Sequence, residues 1–288
     1  MRRFVRNAPL LGLIAAAGAA GVLFTAVILR GSHADEAAVV HVREVVRSQA
    51  EGRTDDTFRW SGRVADGGTV EVRGVNGPIH FEPADGPQVE VEAEKRGRRS
   101  DPAEVRIEVV EHEHGVTICA VYPTPRGRSE NRCDPDREWS VHTKNNDVRV
   151  AFRVRVPEGL KIVGRTINGE LEAEDLRNDI ALYTVNGDID VSTTGWAEAR
   201  TVNGSIEAAL GAVPPDGLSF ETVNGDLHLD LPDDADAEID ARWLNGSIET
   251  DLEMALEGRV SRRRIHGRLG EGGPLLRLKT VNGSIHIR

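Results

Sequence analysis

The chain has 288 residues, 39% of them hydrophobic but only 4% aromatic, and 36 Lys+Arg against 47 Asp+Glu give a formal net charge of −11. Arg2, Arg3, Arg6 and Arg30 face no acid within the first 30 residues, so the remainder carries −15. A body this acidic excludes docking on nucleic acid, where Lys and Arg neutralise phosphate; its core must come from Val, Ile, Leu, Ala and Thr, and 29% charge of mixed sign argues against wholesale disorder.

Residues 8–29 carry no charge and follow three arginines. About 20 apolar residues span a bilayer as a helix, and the preceding arginines favour a cytoplasmic N-terminus. The alternative is a cleaved signal peptide, with Ser32-His33-Ala34 as a small-residue cleavage site. Either reading exports the body: it is extracytoplasmic and held in the cytoplasmic membrane through residues 8–29, or it is secreted or periplasmic after cleavage. Residues 1–33 are read as anchor or signal segment, 34–54 as a juxtamembrane stalk or short helix, and 55–288 as one β domain.

Strand patterning begins at Trp60-Ser-Gly-Arg-Val and continues through Thr69-Val-Glu-Val-Arg, Gln88-Val-Glu-Val-Glu, Val105-Arg-Ile-Glu-Val and Val148-Arg-Val-Ala-Phe-Arg-Val. Cys119 and Cys133 bracket a polar, turn-rich loop. In an oxidising compartment they are expected to pair, and closing that loop contributes about 3 kcal/mol in the chain-entropy model. The loop 119–133 is expected to project from the domain.

The main signal is a repeat. Seven of the 12 asparagines precede glycine, where 30 glycines would place about one by chance. The pairs are Asn76-Gly77, Asn168-Gly169, Asn186-Gly187, Asn203-Gly204, Asn224-Gly225, Asn245-Gly246 and Asn282-Gly283. From Asn168 the steps are 18, 17, 21, 21 and 37, and His266-Gly267 reads as a degenerate copy inside the last. Thr stands two before Asn in five copies, and an aliphatic residue two after Gly in all seven.

Alternation changes phase across Asn-Gly, so the chain bends there. A two-residue hairpin does this, giving a β-hairpin meander or barrel. So does a corner of a single-stranded β-solenoid, where Asn and Gly tolerate the left-handed region. The recurring Thr favours the solenoid, because a stack rewards identical residues with Thr-on-Thr and Asn-on-Asn ladders. Pro214-Pro215-Asp216-Gly217 and Pro232-Asp233-Asp234-Ala235 read as outer corners. Terminal coils, such as the one ending at Arg288, are expected to be open edges.

These motifs, with Gly115-Val-Thr-Ile-Cys-Ala-Val-Tyr-Pro123 and the segment Asn146–Gly159, resemble the bacterial putative-adhesin family of β-strand-repeat domains over roughly residues 57–288. The resemblance implies a β-solenoid or toast-rack-like stack on an exported, often membrane-anchored protein, and raises the expectation of surface binding.

No catalytic, cofactor-binding or metal-ligating residue is assigned. Glu111-His112-Glu113-His114 offers too few ligands for structural zinc. The acids at Asp188, Asp190, Asp226, Asp230, Asp233, Asp234, Asp236 and Asp240 lack a calcium-loop pattern and read as turn chemistry and a solvated face. Arg96, Arg98, Arg99 and Arg262, Arg263, Arg264 read as solvated loops with a capacity for anionic partners. The Asn-Gly-Ser triplets at Asn203, Asn245 and Asn282 are formal glycosylation sequons dictated by turn geometry. The expected function is a non-enzymatic surface binder of an envelope polymer or protein partner. The alternatives are an envelope-stress sensor acting through a membrane partner and, behind it, a polysaccharide-active solenoid enzyme. No oligomeric state is assigned.

Overall fold

A computed structural model describes residues 45–46, 56–232, 234–256, 261 and 263–288. The expected membrane segment 8–29 and most of the stalk lie outside the described residues, as does Asp233. Among the described residues no helix is long and apolar enough to cross a membrane. All described strands fall in one compact unit, Val42–Arg288.

The strands are β1 (Val45–Val46), β2 (Thr57–Gly62), β3 (Thr69–Arg73), β4 (Ile79–Pro83), β5 (Val89–Arg96), β6 (Arg106–His112), β7 (Gly115–Val121) and β8 (Arg149–Val156). The repeats supply β9 (Lys161–Arg165), β10 (Leu171–Leu176), β11 (Asp179–Tyr183), β12 (Ile189–Thr193), β13 (Ala197–Arg200), β14 (Ile206–Leu210), β15 (Leu218–Glu221) and β16 (Leu227–Asp230). The C-terminal part holds β17 (Ala237–Arg242), β18 (Ile248–Thr250), β19 (Met254–Leu256), β20 (Arg264–Leu269), β21 (Leu275–Lys279) and β22 (Ile285–Ile287).

Two sheets face each other. Sheet A runs β1-β6-β7-β3-β9-β11-β13-β15-β21-β17-β20-β19, and sheet B runs β18-β22-β16-β14-β12-β10-β4-β8-β5-β2. The strands flanking each Asn-Gly therefore lie in different sheets, parallel to the equivalent strands of neighbouring copies. This is the solenoid; the hairpin reading is excluded. Each coil is one strand of sheet A, an Asn-Gly or longer corner, and one strand of sheet B. Inward positions repeat as aliphatic columns: Ile79, Leu171, Ile189, Ile206, Leu227 and Ile285 are each at most 1% exposed. Where a bulky side chain enters a column, its neighbour shrinks. Gly164 leaves room for Phe81, whose Cε2 a Cβ there would meet at 2.9 Å.

Among the described residues eight coils are stacked, but not in chain order. The β7/β8 coil lies outside β3/β4 at one end. At the other, β21/β22 inserts between β15/β16 and β17/β18. The coil ending at Arg288 is thus internal, which corrects the expectation of an open edge there. His266-Gly267 is not a corner either: both lie in β20, paired antiparallel with β17. The step of 37 arises because a hairpin, not a coil, fills it. Val45–Val46 form a short strand on β6 rather than a helix.

The Cys119–Cys133 bond is present, with Cα atoms 5.6 Å apart. The loop does not project. Cys119 and Arg73 share the outer side of sheet A, and the loop folds back over them. Arg73 donates to the Asp134 carbonyl at 2.9 Å, and Arg73, Thr117 and Cys119 are all buried. Further along, Asn131 donates to the Tyr122 and His142 carbonyls, and Trp139 and Val141 pack against the core. A loop with a buried polar anchor and two apolar residues gains more by covering the sheet than by standing in solvent.

Candidate binding surface

The corners form one continuous edge. In spatial order the asparagines run Asn76, Asn168, Asn186, Asn203, Asn224, Asn282, Asn245. Each Nδ2 donates to the Oδ1 of the asparagine before it, at 2.7–2.8 Å. Asn76 closes one end by donating to the Val148 carbonyl at 3.4 Å. The expected Asn ladder exists, but the corner asparagines are not left-handed: among the described residues the positive-φ residues other than glycine are Asn145 and Asp175. The threonines do not bond to one another. Thr166, Thr184, Thr201, Thr222 and Thr280 each donate to the glycine carbonyl of the adjacent corner, at 2.8–3.4 Å. The residue after glycine adds a third ladder, in which Asp188 and Asp226 accept the backbone N–H of Ser205 and Ser284 at 2.8 and 2.7 Å. Those two carboxylates are committed to turn geometry. At the three sequons the Asn Nδ2 is likewise held inside the ladder.

The outer face of sheet A carries a row set by register: Arg73, Arg165, Tyr183, Arg200, Glu221, Lys279, Arg242 and Arg264. Arg165 lies 4.3 Å from the Tyr183 ring centroid and 3.1 Å from Glu71. Burial, then the hydrogen bond to Glu198, pushes the Tyr183 hydroxyl up to about 12. Arg242 and Arg264 both engage Asp240, at 2.7 and 2.8 Å. Among the described residues Arg200, and Arg277 in the next row, make no ion pair.

Sheet B presents the opposite sign. Its outward row reads Arg153, His80, Glu172, Asp190, Glu207, His228, His286, Glu249. Three carboxylates occupy adjacent coils. Burial, followed by the charges of Glu207, Glu170, Asp188 and Glu174, raises Asp190 to about 6. His80 is bonded to Glu172. The His228 and His286 rings stack at 4.7 Å.

The residues weighed for chemistry do not converge. His112 contacts Thr117 Oγ1 at 3.1 Å, while His114 pairs with Glu113. Asp240 is tied to arginines, and Asp236 accepts the Glu271 N–H. Arg96 pairs with Glu94, and Arg264 with Asp240, which disperses both arginine clusters. Among the described residues no group of three His, Cys, Asp or Glu is placed to hold a metal ion. Sequence reasoning missed both charged rows. Their signals were available: the residue just before the corner Thr is Arg165, Tyr183, Arg200, Glu221 or Lys279, and the one after the aliphatic position is His80, Glu172, Asp190, Glu207, His228, Glu249 or His286.

The fold and its surface define a two-sheet β-solenoid whose repeats build charged faces rather than an enclosed pocket of converging groups. A family model, Toastrack DUF4097, matches residues 137–288, more than half of the chain, and the chain belongs to that family. This agrees with the resemblance carried by the Thr-Val-Asn-Gly repeats. The chain is also similar to the crystal structure of a putative cell adhesion protein from Clostridium sporogenes, with 14% identity and a TM-score of 0.44 over 80% of this chain and 98% of that one. Putative adhesins from Bacteroides fragilis and Parabacteroides distasonis give 10% and 15% identity and TM-scores of 0.31 and 0.29, each over 81% of this chain and 97% of theirs. No curated protein matches.

Proposed function

We propose that this is a non-enzymatic, exported, adhesin-like protein, held at the cytoplasmic membrane by residues 8–29, whose sheet A face binds an anionic envelope polymer. The observation that carries this reading is the segregation of charge on an acidic body. Beyond Arg73, which the disulfide loop covers, the sheet A row places five cationic side chains, one tyrosine and one carboxylate along the stack. Successive members sit on adjacent strands, about 4.8 Å apart, so a linear polyanion lying along the stack would meet a cation at nearly every step. Arg200 and Arg277, which make no ion pair among the described residues, supply charge that the fold has not already neutralised.

The test is crosslinking in cells from a photoreactive residue at position 200, with position 228 on sheet B as control, together with mass spectrometry of the N-terminus. The expected result is polymer adducts from 200 and not from 228, on a chain that retains residues 8–29. Equal labelling from both faces, or adducts that survive an Arg200→Glu/Arg277→Glu exchange when the probe is moved to the exposed position 279, would reject the sheet A assignment. A processed N-terminus would reject the anchor. A single dominant membrane-protein adduct would instead favour a sensor acting through that partner.

A further inference from the structure

Three of the four sheet ends are finished in the same way. At one end of the stack, β6 and β1 add to β7 in sheet A, and β5 and β2 add to β8 in sheet B; at the other, β20 and β19 add to β17 in sheet A. Each addition is two strands, and every pairing in it is antiparallel. The fourth end, β18 in sheet B, has β22 on one side and no partner on the other among the described residues. Among the described residues sheet A therefore extends two strands beyond sheet B there, and the inward side of those two strands has no described sheet opposite it.

The exposed chemistry matches a missing cap. Ile265 and Leu269 of β20, and Met254 and Leu256 of β19, lie in register with the inward residues Ala241, Ala237 and Ile239 of β17. Leu256 is nevertheless 55% exposed. Ile248 on β18 is half-buried, although its equivalents Ile285 and Ile206 are fully buried. The pairing of β18 with β22 uses the Ser247 carbonyl and the Asp251 N–H, which leaves the N–H and C=O of Ile248 and Thr250 directed to the open side. The asparagine ladder also ends here: Asn245 donates to Asn282, and its own Oδ1 accepts nothing among the described residues.

We propose that β18 is a strand-acceptor site, completed by an extended segment of a protein partner that pairs antiparallel to it. The segment carries aliphatic residues at alternate positions and Lys or Arg between them. The aliphatics would cover Leu256, Met254 and Ile248. The basic residues would face Glu249, Asp251 and Glu253, all exposed along this edge. The cap of sheet B at the opposite end uses this rule, with Glu90 meeting Arg155 at 3.1 Å and Arg59 meeting Glu92 at 2.7 Å across antiparallel pairs. A second copy joined through its own β18 does not fit, because an antiparallel pair of β18 strands would bring its sheet A into the place held by β20 and β19. This site is separate from the sheet A row, and neither depends on the other. Main-chain pairing would supply affinity and alternate side chains specificity.

The probe is an eight-residue peptide alternating valine and lysine, with the same composition in two blocks as control, titrated onto the full chain by fluorescence anisotropy. Thr250→Pro removes an N–H aimed at the open side while leaving the β22 pairing in place, as proline is tolerated at such edge positions. It is expected to weaken the alternating peptide at least about tenfold. Glu249→Lys should weaken it similarly and favour a valine–glutamate peptide instead. Retained hydrogen-exchange protection of β22 shows that either variant is folded. Equal binding of the two valine–lysine peptides, or undiminished binding to both variants, would overturn the proposal. Protection of the Ile248 and Thr250 amides in the free chain would overturn it too: independent of concentration, it would mean that a segment of this chain fills the edge, and rising with concentration, that a second copy does.

Discussion

At the corners, glycine is demanded by distance more than by dihedral. Gly204 has φ 157°, but Gly225 takes no positive φ, and a Cβ on either would lie 2.0 or 1.9 Å from the carbonyl oxygen of the glycine in the adjacent corner. Gly204→Ala and Gly225→Ala are therefore both expected to lose about 1–3 kcal/mol, the cost of forcing extra volume into a packed site. Denaturant unfolding of the two variants separates the causes. A loss at Gly204 alone would restore a dihedral explanation, and no loss at either would remove the close-approach one. The bend at Asn-Gly was legible because alternation changes phase there. The role of each residue was less so. Asn-Gly has the same local signature whether it turns a hairpin or stacks on a copy of itself, and the Thr hydroxyl's choice of the Gly169 or Gly187 carbonyl over another threonine depends on how far apart the coils sit.

Rows of side chains across strands carry the electrostatics of each element. Asp190 on β12 stands between Glu172 and Glu207 in register, and burial, then the charges of Glu207, Glu170, Asp188 and Glu174, raise its carboxyl from 3.8 to about 6. Between those two values the folded chain binds more protons than the unfolded chain, so stability falls as pH rises through that window and then levels off. Asp190→Asn is expected to unfold at a higher temperature than the parent above pH 6, with the difference vanishing near pH 4. Melting curves at the two pH values check this; an equal shift at both would mean that packing, not charge, is responsible. The strands themselves were legible from alternation, β2, β3, β5, β6 and β8 included. Their pairing was not, because Gln88–Glu94 and Val105–Val110 alternate alike whether they continue the solenoid or reverse to cap it. The disulfide loop was misplaced for a related reason: a polar sequence does not disclose that Arg73 and Cys119, on two separate strands, offer it a surface to cover.

For the whole molecule the decisive feature is the exchange of stacking order at its ends. The last coil in the chain, β21/β22, is the seventh in the stack, and among the described strands β17 reaches the body of sheet A through β21. A repeat stack draws its stability from nearest-neighbour contacts, so removing an inner coil strands whatever lies beyond it. Deleting residues 274–288 should therefore cost the protection of β17, β18 and β20 as well, although those strands remain in the chain. Deleting the longer piece 232–288 removes the stranded segment altogether and leaves β15/β16 as the terminal coil. Hydrogen exchange is expected to show unprotected amides across 237–269 in the shorter deletion, with β9 to β14 retaining protection in both. Persistent protection of β17 in the shorter deletion would mean that the β17/β18 coil has slipped inward onto β15/β16, with Asn245 bonding to Asn224 in place of Asn282. The corners are chemically alike enough to permit that slip. What opposes it is the six-residue connection from Asp230 to Ala237, set for a gap one coil wide, and the β19–β20 hairpin, whose antiparallel pairing to β17 fixes how that strand can move.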